Sequence, residues 1–346
     1  MRRILQVILI ISFLVIPVSA MDITAPEAPE SAQEYMPDET ETFAEGLWYI
    51  IKTAIAKLHP SIAQAMEICF SLIAIVLLVS LLQSFSDSAK KATQLAGALT
   101  ISILLMQPVN TFIHFGSDTI TTLSNYGKLL LPVLTTALAA QGGTTSSATL
   151  YAGTALFNSV LSTIIANIMI PLLYIYLCLC IANSIVGESL LKNLQSFLKW
   201  GMTWLLKVVL YVFTGYISIT GVVGGSVDSA SVKAAKLAIS GAVPVVGGIL
   251  SDASEAILVS AGLMKNAVGI YGLLAIVAVW IGPFLQIGIQ YLLLKMTAAI
   301  CSVIGNNEAT SLIGNFSAAM GILLAMTSTV CILLLISTVC FMKGVS

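Results

Sequence analysis

Charge is scarce in this chain. Only 9% of its 346 residues are Asp, Glu, Lys or Arg, where a soluble domain carries about a quarter. A soluble fold needs polar surface over its core, so this scarcity excludes water as the main solvent. Neither sign of charge dominates. A formal net charge of −1 offers neither the basic field of a nucleic-acid binder nor an acidic field for a cationic partner. Histidine is nearly absent, with His59 and His114 isolated near segment ends. No Ser/His/Asp, Cys/His or glycine-rich phosphate pattern occurs, so nothing supports an enzyme or a nucleotide site. The six cysteines, Cys69, Cys178, Cys180, Cys301, Cys331 and Cys340, all lie in apolar stretches. Cys178 and Cys180, two apart, fall on different helix faces, and no metal-ligand spacing is completed. No disulfide, metal or cofactor is expected.

Apolar runs of near-membrane length are abundant instead. The chain begins with Arg2 and Arg3, continues through the apolar run Ile4 to Ile16, and reaches Pro17 and the small-residue site Val18-Ser19-Ala20. That pattern predicts a secretory signal peptide over 1–20; an uncleaved anchor is the alternative, and either exports the next segment. Residues 21–46 hold three prolines and eight acidic residues with little to bury, which predicts disorder. From Phe43 to Leu58 an amphipathic stripe of Leu47, Ile50, Ile51, Ala54, Ile55 and Leu58 appears, and a helix along the membrane surface is expected over about 47–61.

Residues 62–341 predict an all-α, polytopic membrane domain of about seven or eight spans. The candidates are Ile62–Leu82, Leu95–Phe115, Leu150–Ala166, Ile168–Val186, Thr203–Val223, Ala267–Gly282, Phe284–Ile304 and Ser317–Phe341. Leu129–Ala140 and Ala242–Leu250 are too short to cross a core of about 30 Å and read as re-entrant or half-helices. These short pieces match: Leu131-Pro132-Val133-Leu134 aligns with Val243-Pro244-Val245-Val246, and the same offset carries Pro171 onto Pro283. The match predicts an internal duplication over 131–223 and 243–341, each unit with a tight hairpin at its second proline; chance similarity of membrane composition is the competing explanation. If the copies were inverted, the paired prolines would flank a central path as in many transporters. Lys90 and Lys91 mark the loop after the first span as cytoplasmic.

Few residues carry candidate chemistry. Lys295 lies in the middle of an apolar run, with Gln286 and Gln290 before it; it either lines a path or snorkels to an interface. Glu67 and Lys207, nearer span ends, read as snorkelling. Asp252 and Glu255, three apart on one helix face, either line a polar path or cap a solvated helix. With Pro132, Pro244, Pro171 and Pro283, these are the path-lining or binding candidates.

The run TGYISITGVVGGSVDSASVKAAKLAISGAVPVVGGILSDASEAILVSAGLMKNAVGIYG, from Thr214 to Gly272, resembles the stage III sporulation protein AE family of endospore-forming bacteria. The layout of export signal, acidic lead-in and membrane region is similar too. The resemblance implies a mother-cell membrane component of the multiprotein channel linking mother cell and engulfed forespore, needed for forespore development. Its expected partners are the lipid bilayer, the other channel subunits and further copies of this chain, with no nucleic acid. The family supplies no catalytic residue to transfer. A self-sufficient secondary transporter and a non-conducting membrane scaffold are the alternatives.

Overall fold

A computed structural model of the chain describes residues 24–37, 42–85, 90–140, 144–219, 267–304 and 307–343. Among the described residues every regular element is helical: α1 Glu30–Gln33, α2 Phe43–Ala56, α3 His59–Phe85, α4 Lys90–Ala140, α5 Thr144–Ile164, a π-helical turn Ile165–Met169, α6 Ile170–Val186, α7 Ser189–Ile219, α8 Ala267–Ile304 and α9 Asn307–Lys343. The protein is thus all-α and polytopic. Six stretches among the described residues are long and apolar enough to cross a membrane, counting α5 and α6 as one. The signal-peptide residues and the Val243–Val246 match lie outside the described residues.

The C-terminal helix is the centre. The apolar window of α9 is wholly buried, as expected of a helix apolar on all sides. Its buried Ser and Thr hydroxyls in the C-terminal half do not break this rule, because they donate to carbonyls of their own previous turn, as Ser328 does to Leu324, Thr329 to Ala325, Ser337 to Leu333 and Thr338 to Leu334, at 2.6–2.9 Å.

Contacts fix the direction of each neighbour. Gly116 and Gly127 of α4 face Leu323 and Leu334 of α9, so α4 and α9 run parallel. Thr149 and Leu179 accept hydrogen bonds from Tyr216 and Gln195, so α7 runs against α5–α6. Ser317 Oγ donates to Tyr291 O, and Met342 packs on Gly269, so α8 runs against α9. Val79 packs on Gly97, and α3 runs against α4. Asn158 donates to Ser124 O and Tyr174 to Asn110 Oδ1, so α5–α6 runs against α4, and the hairpins α6–α7 and α8–α9 share one sense. The described parts of 131–223 and 243–341 therefore run parallel, and no inversion relates them.

Three elements differ from the sequence expectation. Leu129–Ala140 is no half-helix but the end of the 51-residue α4, since packing against α9 and α8 compensates for the hydrogen bond Pro132 removes. Pro171 makes no hairpin either. It sits in the first turn of α6, directly after the π-helical turn, which absorbs the clash a proline ring makes with the carbonyl four residues back. Pro283 is likewise inside the continuous α8. Apolar runs with a proline between them look like two spans in sequence; here each pair is one long helix.

The acidic lead-in is the third difference. Residues 24–37, expected to be disordered, pack on the bundle: Ala28 N donates to Tyr271 Oη at 3.2 Å, Ala32 is fully buried, and Tyr35 lies against Gly282. A few small apolar residues and backbone groups dock the segment, which composition does not reveal. Lys57 of α2 pairs with Glu34 and stands 4.9 Å over the Tyr35 ring. Burial, with Glu34 beside it and against the pull of Lys57, holds the Tyr35 phenol above its ordinary pKa and neutral.

Helix α2 buries Phe43, Gly46, Ile50 and Ala54 against α8, where a Cβ on Gly46 would stand 2.5 Å from Leu274. It starts with a capping arrangement: Glu45 N donates to Thr42 Oγ1 at 3.3 Å. Replacing Thr42 with Ala should cost about 1 kcal/mol of local stability. Faster proteolysis of the N-terminal 60 residues, with Thr42→Asp restoring resistance, checks this.

Candidate functional site

The exterior of α4 changes character along its length. Its outward residues include Leu95, Leu99 and Ile103, then Gln107, Asn110, Thr111, His114, Asp118, Thr121, Asn125 and Lys128, followed by exposed Leu129. A weaker change occurs on α3, where Gln64 and Glu67, interspersed with exposed Ile62 and Met66, precede the exposed apolar Phe70, Leu77, Leu78, Leu81 and Leu82. On α8 the exposed apolar residues Leu292, Met296, Ile300 and Val303 lie in its C-terminal part. On its α3–α4–α8 side the bundle has an apolar-faced half and a polar-faced half, whereas beside the polar stretch of α4 the neighbouring α5 and α7 expose Leu156, Val160, Tyr211 and Val212.

A cleft opens where the halves meet. It has a volume of about 540 Å³ and lies between α3, α4 and α8, lined by Ser61, Gln64, Glu67 and Ser71 of α3, Gln107, Pro108 and Thr111 of α4, and Gln286 and Gln290 of α8, among others. Helical spacing builds it: the α3 residues recur at three- and four-residue intervals, and each glutamine of α8 and polar residue of α4 pairs with another four residues away. The hydroxyls of Ser71 and Thr111 donate to Glu67 O and Gln107 O at 2.9 and 3.1 Å, leaving only their lone pairs to the cleft. Pro108 removes the N–H that would bond the Leu104 carbonyl, and both residues line the cavity. Gln290 is 1% exposed, and its Nε2 has no hydrogen-bond partner among the described residues. Glu67 is the lone charged side chain of the lining.

The sequence candidates fall elsewhere. Lys295 points outward from the apolar half, its ammonium 3.2 Å from Tyr291 Oη and 5.5 Å above that ring. Pro132 lies near the far end of α4, Pro171 on the outside of α6 and Pro283 buried in α8, and none of them lines the cleft. Pro244, Asp252 and Glu255 lie outside the described residues. Sequence reasoning passed over Gln64, Gln107 and Pro108. Amide side chains spaced at helical intervals on three separate spans were the available cue. A smaller groove of about 210 Å³ between α4 and α5 holds Asn125, Lys128, Ser162 and Asn167, with Lys128 Nζ donating to Asn125 Oδ1 at 3.4 Å.

Residues 31–344 match the model of the family described as stage III sporulation protein AE. The chain belongs to that family. Among curated proteins, the stage III sporulation protein AE of Bacillus subtilis (strain 168) is 23% identical over 285 residues, covering 81% of this chain and 71% of the relative. No solved structure matches. The family match spans every helix from α2 to α9 and all but the first residue of α1, so the cleft and both halves of the bundle belong to the region that defines stage III sporulation protein AE members. Family and helices together make this a membrane protein of sporulation.

Proposed function

We propose that this protein is the membrane-embedded component of the transenvelope channel between mother cell and forespore. The apolar-faced half crosses the mother-cell membrane, and the polar-faced half stands in the extracytoplasmic space between the two cells. The observation that carries this reading is the exterior of α4. Its 51 residues extend about 76 Å at about 1.5 Å each, more than twice a hydrocarbon core of about 30 Å, and its exposed residues from Gln107 to Lys128 are all polar. Stacked Trp200 and Trp204 on the outside of α7, 6.1 Å between ring centroids, suit the boundary, where aromatic residues gather. The acidic lead-in, exported by the N-terminal signal, docks on the polar-faced half and orients it outward. Family membership supplies sporulation; the extended half supplies a surface that other channel subunits can reach.

Photo-crosslinking in sporulating cells tests the reading. A photoreactive residue replacing Thr121 or Asn125 should join the chain to other sporulation membrane proteins, and one replacing Leu99 should not. Crosslinks from Leu99 alone would overturn the placement. Solute flux by the purified chain in liposomes would favour a self-sufficient transporter instead.

A further inference from the structure

The cleft between α3, α4 and α8 has chemistry that its own residues leave incomplete. Gln290 is almost fully buried, yet its Nε2 donates to nothing among the described residues. An unmade hydrogen bond of this kind carries a desolvation penalty that a ligand acceptor would relieve. Glu67 supplies a carboxylate, and no lysine or arginine of the lining balances it. A suitable occupant therefore brings both a cationic donor and an anionic or carbonyl acceptor. The volume of about 540 Å³ lies within the range of small-molecule sites, about 300–1,000 Å³.

We propose that this cleft binds a zwitterion bearing a primary ammonium and a nearby oxyanion, the ammonium against Glu67 and the oxyanion against Gln290 Nε2. Gln64, Gln107 and Gln286 offer further amide donors around the oxyanion, and the lone pairs of Ser71 and Thr111 accept from the ammonium. Because the cleft opens where the exterior of α3, α4 and α8 turns from apolar to polar, two sources share this chemistry: the headgroup of an ethanolamine phospholipid, and a free zwitterion in the adjoining water. The inference rests on the cleft alone and does not require the channel reading.

The full chain in nanodiscs tests it, with O-phosphoethanolamine as the free probe and phosphatidylethanolamine as the lipid probe, both against a phosphatidylcholine background. Binding is read by calorimetry for the free probe and by native mass spectrometry for the lipid. One or both should bind, and which of them does identifies the source. Ethanolamine alone or inorganic phosphate alone should bind at least about tenfold more weakly, as should phosphocholine, whose quaternary ammonium cannot donate. Glu67→Gln should lose about tenfold or more in affinity. Gln290→Leu should lose binding too while the empty protein unfolds at the same temperature or higher, because an orphaned donor has been replaced by an apolar group of similar shape. Full affinity in both variants, or no binding of either probe to the native chain, would overturn the proposal.

Discussion

A cysteine at Thr121 or Asp118 should react nearly to completion with a membrane-impermeant maleimide added from the extracytoplasmic side, and one at Leu95, Leu99 or Ile103 should stay at background. The background chain needs Cys178→Ala, since Cys178 is the exposed native cysteine and the other five are buried. The expected contrast is large because the two sets lie on one face of one helix, separated by lipid rather than by protein. Thr121 and Asp118 lie on the polar-faced half; Leu95 and Ile103 are exposed where α3 and α8 present Leu78, Leu81, Ile300 and Val303. A thiol in hydrocarbon is neither hydrated nor ionised, and the thiolate is the reactive form. Uniform labelling from Leu95 to Thr121 would mean that water bathes the whole face, and uniform silence would mean that lipid does.

Gly127→Leu should abolish accumulation of the folded protein. Gly127 lies where α4, α5 and α9 meet: a Cβ there would stand 2.5 Å from Leu334 Cδ2 and 3.1 Å from Asn158 Nδ2, and Asn158 also donates to Ser124 O at 3.2 Å. Glycine at a helix interface lets backbones approach, which is how membrane helices gain packing where the hydrophobic effect gives little. A leucine side chain would push apart the parallel α4–α9 pair and break a buried hydrogen bond. Overpacking alone costs about 1–3 kcal/mol, and the lost bond adds to it. Gly215→Leu is the control, since nothing lies within 4 Å of a Cβ there, and it should accumulate normally. Membrane-fraction levels and detergent-extracted monodispersity check both.

Much of the fold was legible because membrane helices announce themselves by composition. The all-α class, the apolar runs and the amphipathic α2 came from residue type and spacing, and the residues from Thr214 to Gly272 pointed to the family. The lengths of the helices did not. Pro132, Pro171 and Pro283 all read as breaks, yet a π turn before Pro171 and tertiary packing around the others carry the backbone through. Asp118, Thr121 and Asn125, between the expected span Leu95–Phe115 and the short piece Leu129–Ala140, are the exposed side of a continuous helix whose other side packs on α9. The cleft was illegible for a different reason. Gln64, Gln107 and Gln290 are remote in sequence and uncharged, and an amide in an apolar run attracts less notice than Lys295, which faces outward.

The central position of α9 sets the order in which the protein can become itself. Among the described helices α9 follows all the others in sequence, yet α4, α5, α6, α7 and α8 all pack around it. Until residues 307–343 are inserted, the earlier helices are a sheath without a filling, with Gly116 and Gly127 facing an empty slot. The bundle therefore closes only when α9 is in place: losing the last two turns of α9 removes Val339, Cys340 and Phe341 from the middle of the molecule, not from its edge.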